Sequence, residues 1–265
     1  MSLPVGPVAF AGVKRGSDHR LARLRLARLR LARLRLARLR LARLRLARLR
    51  LAQLRLAQLR APAALAAGFL AGSVPFSNLI ARWRTGVDLR SVGHGTVSGT
   101  ALARVAGVGP LMFTGLFEVA KGAVGPAIAG PHRPLVAALA GACAVIGHNW
   151  SPWLGGAGGR GISPAMGALL VTAPVGTAVL LGGLVAGRLG GETALGSLAA
   201  DVLVVPVARR VHGPAGAAAA AAVVAPMLLK RLAGNATPAP RRPVVYLWRL
   251  LFDRDSRAEG TASCR

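Results

Sequence analysis

From Ala61 to about Leu232 the chain is a series of Ala-, Leu-, Val- and Gly-rich runs, parted by short breaks that carry Arg, His or Gly. Several runs approach the ~20 residues that cross ~30 Å of hydrocarbon as helix. Ala61–Trp83 is the first, closed by Arg82 and Arg84. A second, Leu111–Ala129, is interrupted by Glu118, Lys121 and Pro126, and a third runs from Pro134 to Ile146. Gly167–Ala186 holds Pro174 near its middle, so it is one kinked helix or two shorter ones. Thr193–Ala208, with Asp201 inside it, and Pro214–Leu232 complete the set. The pattern predicts an all-α polytopic membrane protein of about seven transmembrane helices, or six if Pro174 only kinks one.

The segment before Ala61 follows another rule. Residues 21–60 are eight tandem pentapeptides, LARLR six times and then LAQLR twice. Each residue type favours helix, yet five residues advance a helix by about 140° beyond one turn, so the leucines spiral round every face. A period matching neither helix nor strand predicts no packed structure, only an unstructured or isolated helical arm. Three readings stay open: an arginine arm for anionic lipid or nucleic acid, a helix without function, or a segment absent from the mature protein because translation starts further on. The near-identity of the copies is what recent duplication produces, which favours the last two. The expected division is therefore an arm at 1–60, a membrane domain at 61–236 and a Pro/Arg-rich tail at 237–265, with YLWRLLF inside the tail as an interfacial segment.

Mean hydropathy is +0.50 with only 16% charged residues, too apolar for an ordinary soluble domain. The net charge of +27 would suggest nucleic acid in a soluble protein, but 17 of the 35 basic residues precede Ala61. No nucleic-acid partner is expected; the bilayer is. Cys143 and Cys264 are too far apart in context to suggest a disulfide, and no metal-ligand spacing occurs. Arg82, Arg84, Arg90 and Arg104 lie on one side of the first span, which the positive-inside rule makes cytoplasmic. Alternation of spans brings Gly147–Gly161 to the same side.

That last stretch, GHNWSPWLGGAGGRG, holds six glycines. Glycines let backbone N–H groups converge on a ligand, and a following helix N-terminus with Arg160 makes an anion site. The competing reading is a flexible loop with Trp150 and Trp153 as interfacial anchors.

Several segments resemble the PlsY family of bacterial membrane enzymes, which acylate glycerol 3-phosphate from an acyl phosphate. AGSVPFSNLIAR (Ala71–Arg82) resembles the family's opening GSIPFGYLIAR. VDLRSVGHGTVSGTALAR (Val87–Arg104) keeps the frame of DIRxxGSGNxGATNxLR, FEVAKG (Phe117–Gly122) resembles LDxxKG, and Gly147–Gly161 resembles GHxFPVFLxFKGGKG. The resemblance covers roughly Leu65 to Ala236 and implies a seven-helix membrane fold with the motifs gathered at the cytoplasmic face of the plasma membrane. Asp88, Arg90, Gly93, Gly95, Thr100 and Arg104 keep the first motif, whereas His94, Thr96, Ser98 and Ala101 depart from it. Glu118 replaces the family Asp, Arg160 replaces the Lys of GGKG, and Pro226–Ala236 lacks the His and Asn of the closing HRxNIxRLLxGxE.

The resemblance implies acyl phosphate and glycerol 3-phosphate as substrates, lysophosphatidate as product, and no cofactor. It puts Arg104, Lys121 and His94 at the catalytic positions. Arg90, Gly93, Gly95, Thr96, Ser98, Thr100, Gly158, Gly159, Arg160 and Gly161 then bind phosphate, supported by Asp88, Glu118, His148 and Asn149. His148 is expected to order its loop rather than act as a base, and Asp201 to be a buried packing residue. Two functions stay open: an acyltransferase, or a weakened or inactive relative that keeps the anion site as an interaction protein.

Overall fold

Apolar runs leave the backbone no partner but itself, and in a computed structural model of this chain they become helix. The structure describes residues 14–93, 95–235 and 243–255. Among these there is no strand, and the α-helices are α1 (Lys14–Ser73), α2 (Phe76–Thr85), α3 (Gly99–Ala106), α4 (Val108–Ala129), α5 (Pro134–Asn149), α6 (Ile162–Thr172), α7 (Pro174–Leu189), α8 (Thr193–Ala233) and α9 (Pro243–Phe252). They fall into two compact units divided between Ala57 and Gln58. The first contains the pentapeptide repeat up to Ala57, helical from Lys14. Leu36, Leu41, Leu44, Leu46 and Leu49 are each more than half exposed, as a period that spirals round the helix requires.

The second unit is the membrane bundle. Gln58–Thr85, Val108–Ala129 and Thr193–Ala233 are long and apolar enough to cross a bilayer. The expected first span, Ala61–Trp83, is not one helix. Pro75 has no N–H to continue the ladder, so α1 stops at Ser73 and α2 restarts at Phe76. Pro174 likewise separates two helices, standing at the first position of α7, and α6 begins at Ile162 rather than Gly167. The two expected last spans join in α8 across a kink at Gly213, where φ is 69° and ψ −161°. Pro214 follows, and the residue before a proline avoids the helical region.

Helices in lipid associate by close packing of small residues. A Cβ on Gly122 of α4 would lie 1.9 Å from Pro164 O of α6, and one on Gly167 of α6 would lie 1.8 Å from Val119 O of α4. Neither position accepts a side chain, so the two backbones touch. Val145, Leu169, Val204, Val223 and Met227 fill the space between α5, α6 and α8. Phe113, Leu116, Leu135 and Val202 face outward, as a lipid-facing surface needs.

Candidate active site

The break at Pro75 leaves backbone groups that a membrane interior cannot leave unpaired. Lys121, on α4, answers it. Its Nζ donates to Val74 O at 2.7 Å, pairs with Glu118 Oε2 at 2.7 Å and lies 3.0 Å from His148 Nδ1. Glu118 Oε1 accepts from Ser77 N at 3.1 Å and Ser77 Oγ at 3.0 Å, at the start of α2. Both charged side chains are almost fully buried. His148 Nδ1 stands between Lys121 Nζ at 3.0 Å and Glu118 Oε2 at 3.3 Å, and the imidazole tautomer decides which of the two it bonds. The resemblance makes Lys121 a catalytic position, and the protein's own groups, Val74 O, the Glu118 carboxylate and the His148 ring, already surround its ammonium.

His148, in the last turn of α5, ties this cluster to the glycine loops. A Cβ on Gly159 would lie 2.2 Å from His148 Nε2 and 2.7 Å from Val97 O, so only glycine fits between the ring and the first loop. The loops are hydrogen-bonded to each other. Val97 N donates to Gly158 O at 3.2 Å. Asn235 Nδ2 donates to both Gly95 O and Gly158 O at 2.9 Å, while its Oδ1 accepts from Gly158 N at 3.1 Å. Ser151 Oγ donates to Ser73 O at 2.7 Å, and Trp153 Nε1 to Ser73 Oγ at 3.0 Å, which fixes the loop between α5 and α6 to the broken helix.

These bonds already engage several amides of the expected phosphate cradle. The amides of Gly95, Gly158 and Gly159 bond to Val92 O, Asn235 Oδ1 and His148 O, so they are not free for a ligand. Ser98 accepts from Ala101 N as the N-cap of α3, an architectural use of its hydroxyl. Thr100 is exposed in the first turn of α3 and Gly161 caps α6, where helix N-termini leave amides unpaired. Gly93 is exposed, Thr96 is half-buried, and His94 lies outside the described residues.

The cations differ among themselves. Arg104 is exposed in the last turn of α3 and makes no hydrogen bond or ion pair with described residues. Arg90 clasps Asp88, Nη2 to Oδ2 at 2.8 Å and Nε to Oδ1 at 3.1 Å, and reaches Leu154 O at 3.5 Å. The Arg90 bonds hold the Asp88 carboxyl at about 2 and push Arg90 up from its usual value. This pairing stabilises the fold fully above the ordinary aspartate range and is lost as pH falls through about 2. Arg160 donates from Nε to Asp253 Oδ1 at 2.6 Å and from Nη1 to Lys230 O at 3.3 Å. Asn149 is fully buried and donates to Pro226 O at 2.9 Å, fastening α5 to α8. Asp201 is buried in α8 as expected.

Ser77, Asn78, Val74, Asn235 and Asp253 escape sequence reasoning. Asn78 Oδ1, buried, accepts from Leu89 N at 2.7 Å and so holds the first loop to α2. Ser77 and Asn78 were signalled only by being polar within an apolar run. Asn235 follows the glycine that ends α8, a position where a polar residue is commonplace.

A family model described as glycerol-3-phosphate acyltransferase matches residues 62–237. The glycerol-3-phosphate acyltransferase of Shouchella clausii (strain KSM-K16) is 41% identical over 112 residues, 40% of this chain and 54% of its own length. That of Myxococcus xanthus (strain DK1622) is 40% identical over 117 residues, 42% of this chain and 60% of its own. The matched part thus spans somewhat more than half of these relatives. Among solved structures, the glycerol 3-phosphate form of PlsY, an integral membrane glycerol 3-phosphate acyltransferase, superposes with TM-score 0.58 and 25% identity, over 64% of this chain and 88% of that one. The lysophosphatidic acid form has the same TM-score at 20% identity, over 76% and 98%, and shares the fold.

Proposed function

The chain belongs to the glycerol-3-phosphate acyltransferase family, and we propose that it transfers an acyl group from acyl phosphate to glycerol 3-phosphate, making lysophosphatidate for phospholipid synthesis. One observation carries this reading: the buried Glu118–Lys121–His148 cluster meets two interlocked glycine loops at Gly159, beside Arg160. In the reaction a glycerol hydroxyl oxygen bonds to the acyl carbon and the bond from that carbon to the phosphate oxygen breaks. The hydroxyl proton leaves with the phosphate.

Both substrates carry phosphate, so the site must hold two anions close together, and positioning with charge stabilisation supplies much of such a rate. Arg160 keeps three free N–H donors, Arg90 two, and Arg104 makes no bond with described residues, and the first turns of α3 and α6 add N–H groups. Lys121 acts through others. It fixes Val74 O at the helix break and the His148 ring against Gly159, and is a positioning residue on this account. The reading makes the protein multi-pass in the plasma membrane, with this face in the cytoplasm beside Arg82, Arg84, Arg90 and Arg104.

The absence of the family His and Asn from Pro226–Ala236 supports a second reading, a relative that binds the anions without turnover. Purified protein in nanodiscs, given acyl phosphate and glycerol 3-phosphate, separates the two. Lysophosphatidate and phosphate formed in equal amounts is the expected result. Glycerol 3-phosphate binding without product would favour the second reading, and neither binding nor product would defeat both.

A further inference from the structure

Arg160 has an acidic partner supplied from beyond the segment that matches the family. That segment ends at residue 237, and Asp253 stands just past α9. The helix that delivers it is docked by its own contacts. Arg249 donates to Leu232 O and Ala233 O, carbonyls that the end of α8 cannot pair within the helix. Gly234 makes room for it: φ there is +66°, and a Cβ would lie 2.8 Å from Arg249 Nη1. Asp255 pairs with Arg249, Arg231 Nη1 donates to Leu250 O at 3.0 Å, and Arg254 Nη2 donates to Glu192 Oε1 at 3.1 Å. Asp253 itself has φ +55°, the left-handed region that ends helices and that Asp adopts more readily than most residues, and its N–H donates to Arg249 O at 3.0 Å. The backbone of Asp253 is therefore placed by the docked end of α9, independently of the guanidinium its carboxylate meets.

We propose that Asp253 is a positioning residue that aims Arg160 at a substrate phosphate, making the C-terminal helix a working part of the active site. This rests on the reading above, in which Arg160 binds phosphate. A guanidinium has five N–H donors. Asp253 takes Nε and Lys230 O takes one on Nη1, so three remain, one on Nη1 and two on Nη2. These form the end of the fork that suits two phosphate oxygens. Asp253 at Nε and Lys230 O at Nη1 grip the guanidinium from opposite edges, which pins its plane and leaves the Nη2 end to be presented. The Arg160 side chain is only 12% exposed, so this orientation is set within the protein rather than in solvent.

The alternative is that Asp253 competes with phosphate for Arg160 and restrains the enzyme. The two ideas differ in sign. Positioning predicts that Asp253→Asn and Asp253→Ala weaken phosphate binding; competition predicts that they tighten it. The experiment uses the full chain in nanodiscs and measures glycerol 3-phosphate binding by calorimetry, together with KM and kcat for both substrates. Asp253→Asn is expected to weaken one substrate by about tenfold, about 1.4 kcal/mol, with kcat nearly unchanged and with Asp253→Glu recovering most of the loss. In an Arg160→Ala background the same substitution should add nothing further, a result that a general loosening of α9 would not produce. Unchanged or tighter binding in Asp253→Asn, or full additivity with Arg160→Ala, would overturn the proposal. A wild-type protein that binds glycerol 3-phosphate without turnover would fail the proposed reaction alone, since the binding comparison still decides the role of Asp253. A wild-type protein with no affinity for it would overturn this inference as well.

Discussion

Lys121 donates to Val74 O, forms an ion pair with Glu118 Oε2 and lies 3.0 Å from His148 Nδ1, all inside the protein. Lys121→Ala would therefore leave Glu118 as an unpaired buried charge, and breaking such a pair costs about 3–5 kcal/mol. A dead variant would then say little about catalysis. The informative one is Glu118→Gln with Lys121→Met, since replacing both members of a buried pair is often nearly neutral. We expect Lys121→Ala to lose much of its thermal stability in detergent. The double variant should recover most of that stability yet turn over at least about tenfold slower, because Val74 O and His148 lose their partner. A double variant with wild-type turnover would remove this cluster from the mechanism. Glu118 and Lys121 are legible in the sequence because charges three apart on an apolar run stand out. Ser77 and Asn235 are not, because their partners lie 41, 77 and 140 residues away and depend on the break at Pro75 and the end of α8.

Prolines show how much of the element scale a single sequence can carry. Pro75 and Pro174 end helices, whereas Pro126, Pro206 and Pro226 lie inside them. The residue alone cannot separate the two outcomes; neighbouring helices that re-satisfy freed backbone groups do so. Glycines in the apolar runs behave likewise. Gly122 and Gly115 share α4 and look equivalent in sequence, yet a Cβ on Gly122 would meet Pro164 O at 1.9 Å while one on Gly115 meets nothing within 4 Å. Gly122→Ala must push α4 from α6, and with it Lys121 from the loop that leads into α6. Overpacking of this kind costs about 1–3 kcal/mol, and we expect turnover to fall more steeply than stability. Gly115→Ala should retain full turnover and gain up to about 1 kcal/mol from helix propensity. Thermal unfolding and rate measurements on the pair check this, and equal behaviour of the two variants would refute the contact.

The whole molecule joins in one chain a repeat with no packing period and a bundle that the family model covers from residue 62. The pentapeptide period suggests that the bundle folds without the arm, and the expected boundary is residue 60. The contacts argue for an earlier cut. Arg60 Nε donates to Ile128 O at 2.7 Å in the last turn of α4, and its guanidinium lies against Gly130. Arg60 belongs with the bundle, in the unit that begins at Gln58. A variant starting at Gln58 should therefore keep insertion, thermal stability and turnover. One starting at Ala61 should lose about 1 kcal/mol, the usual net worth of a hydrogen bond with a charged donor or somewhat less. Insertion has a sign of its own. If Arg82, Arg84, Arg90 and Arg104 mark the cytoplasmic side, the N-terminus of the first span lies outside, and the fourteen arginines of residues 21–60 oppose that orientation. The variant starting at Gln58 keeps only one of them, so it should insert at least as well as the full chain. Insertion of both forms into inverted membrane vesicles, scored by protease protection, measures this directly. Failure of the shorter form to insert, or loss of its turnover, would make the arginine helix a working membrane element and the bundle dependent on it.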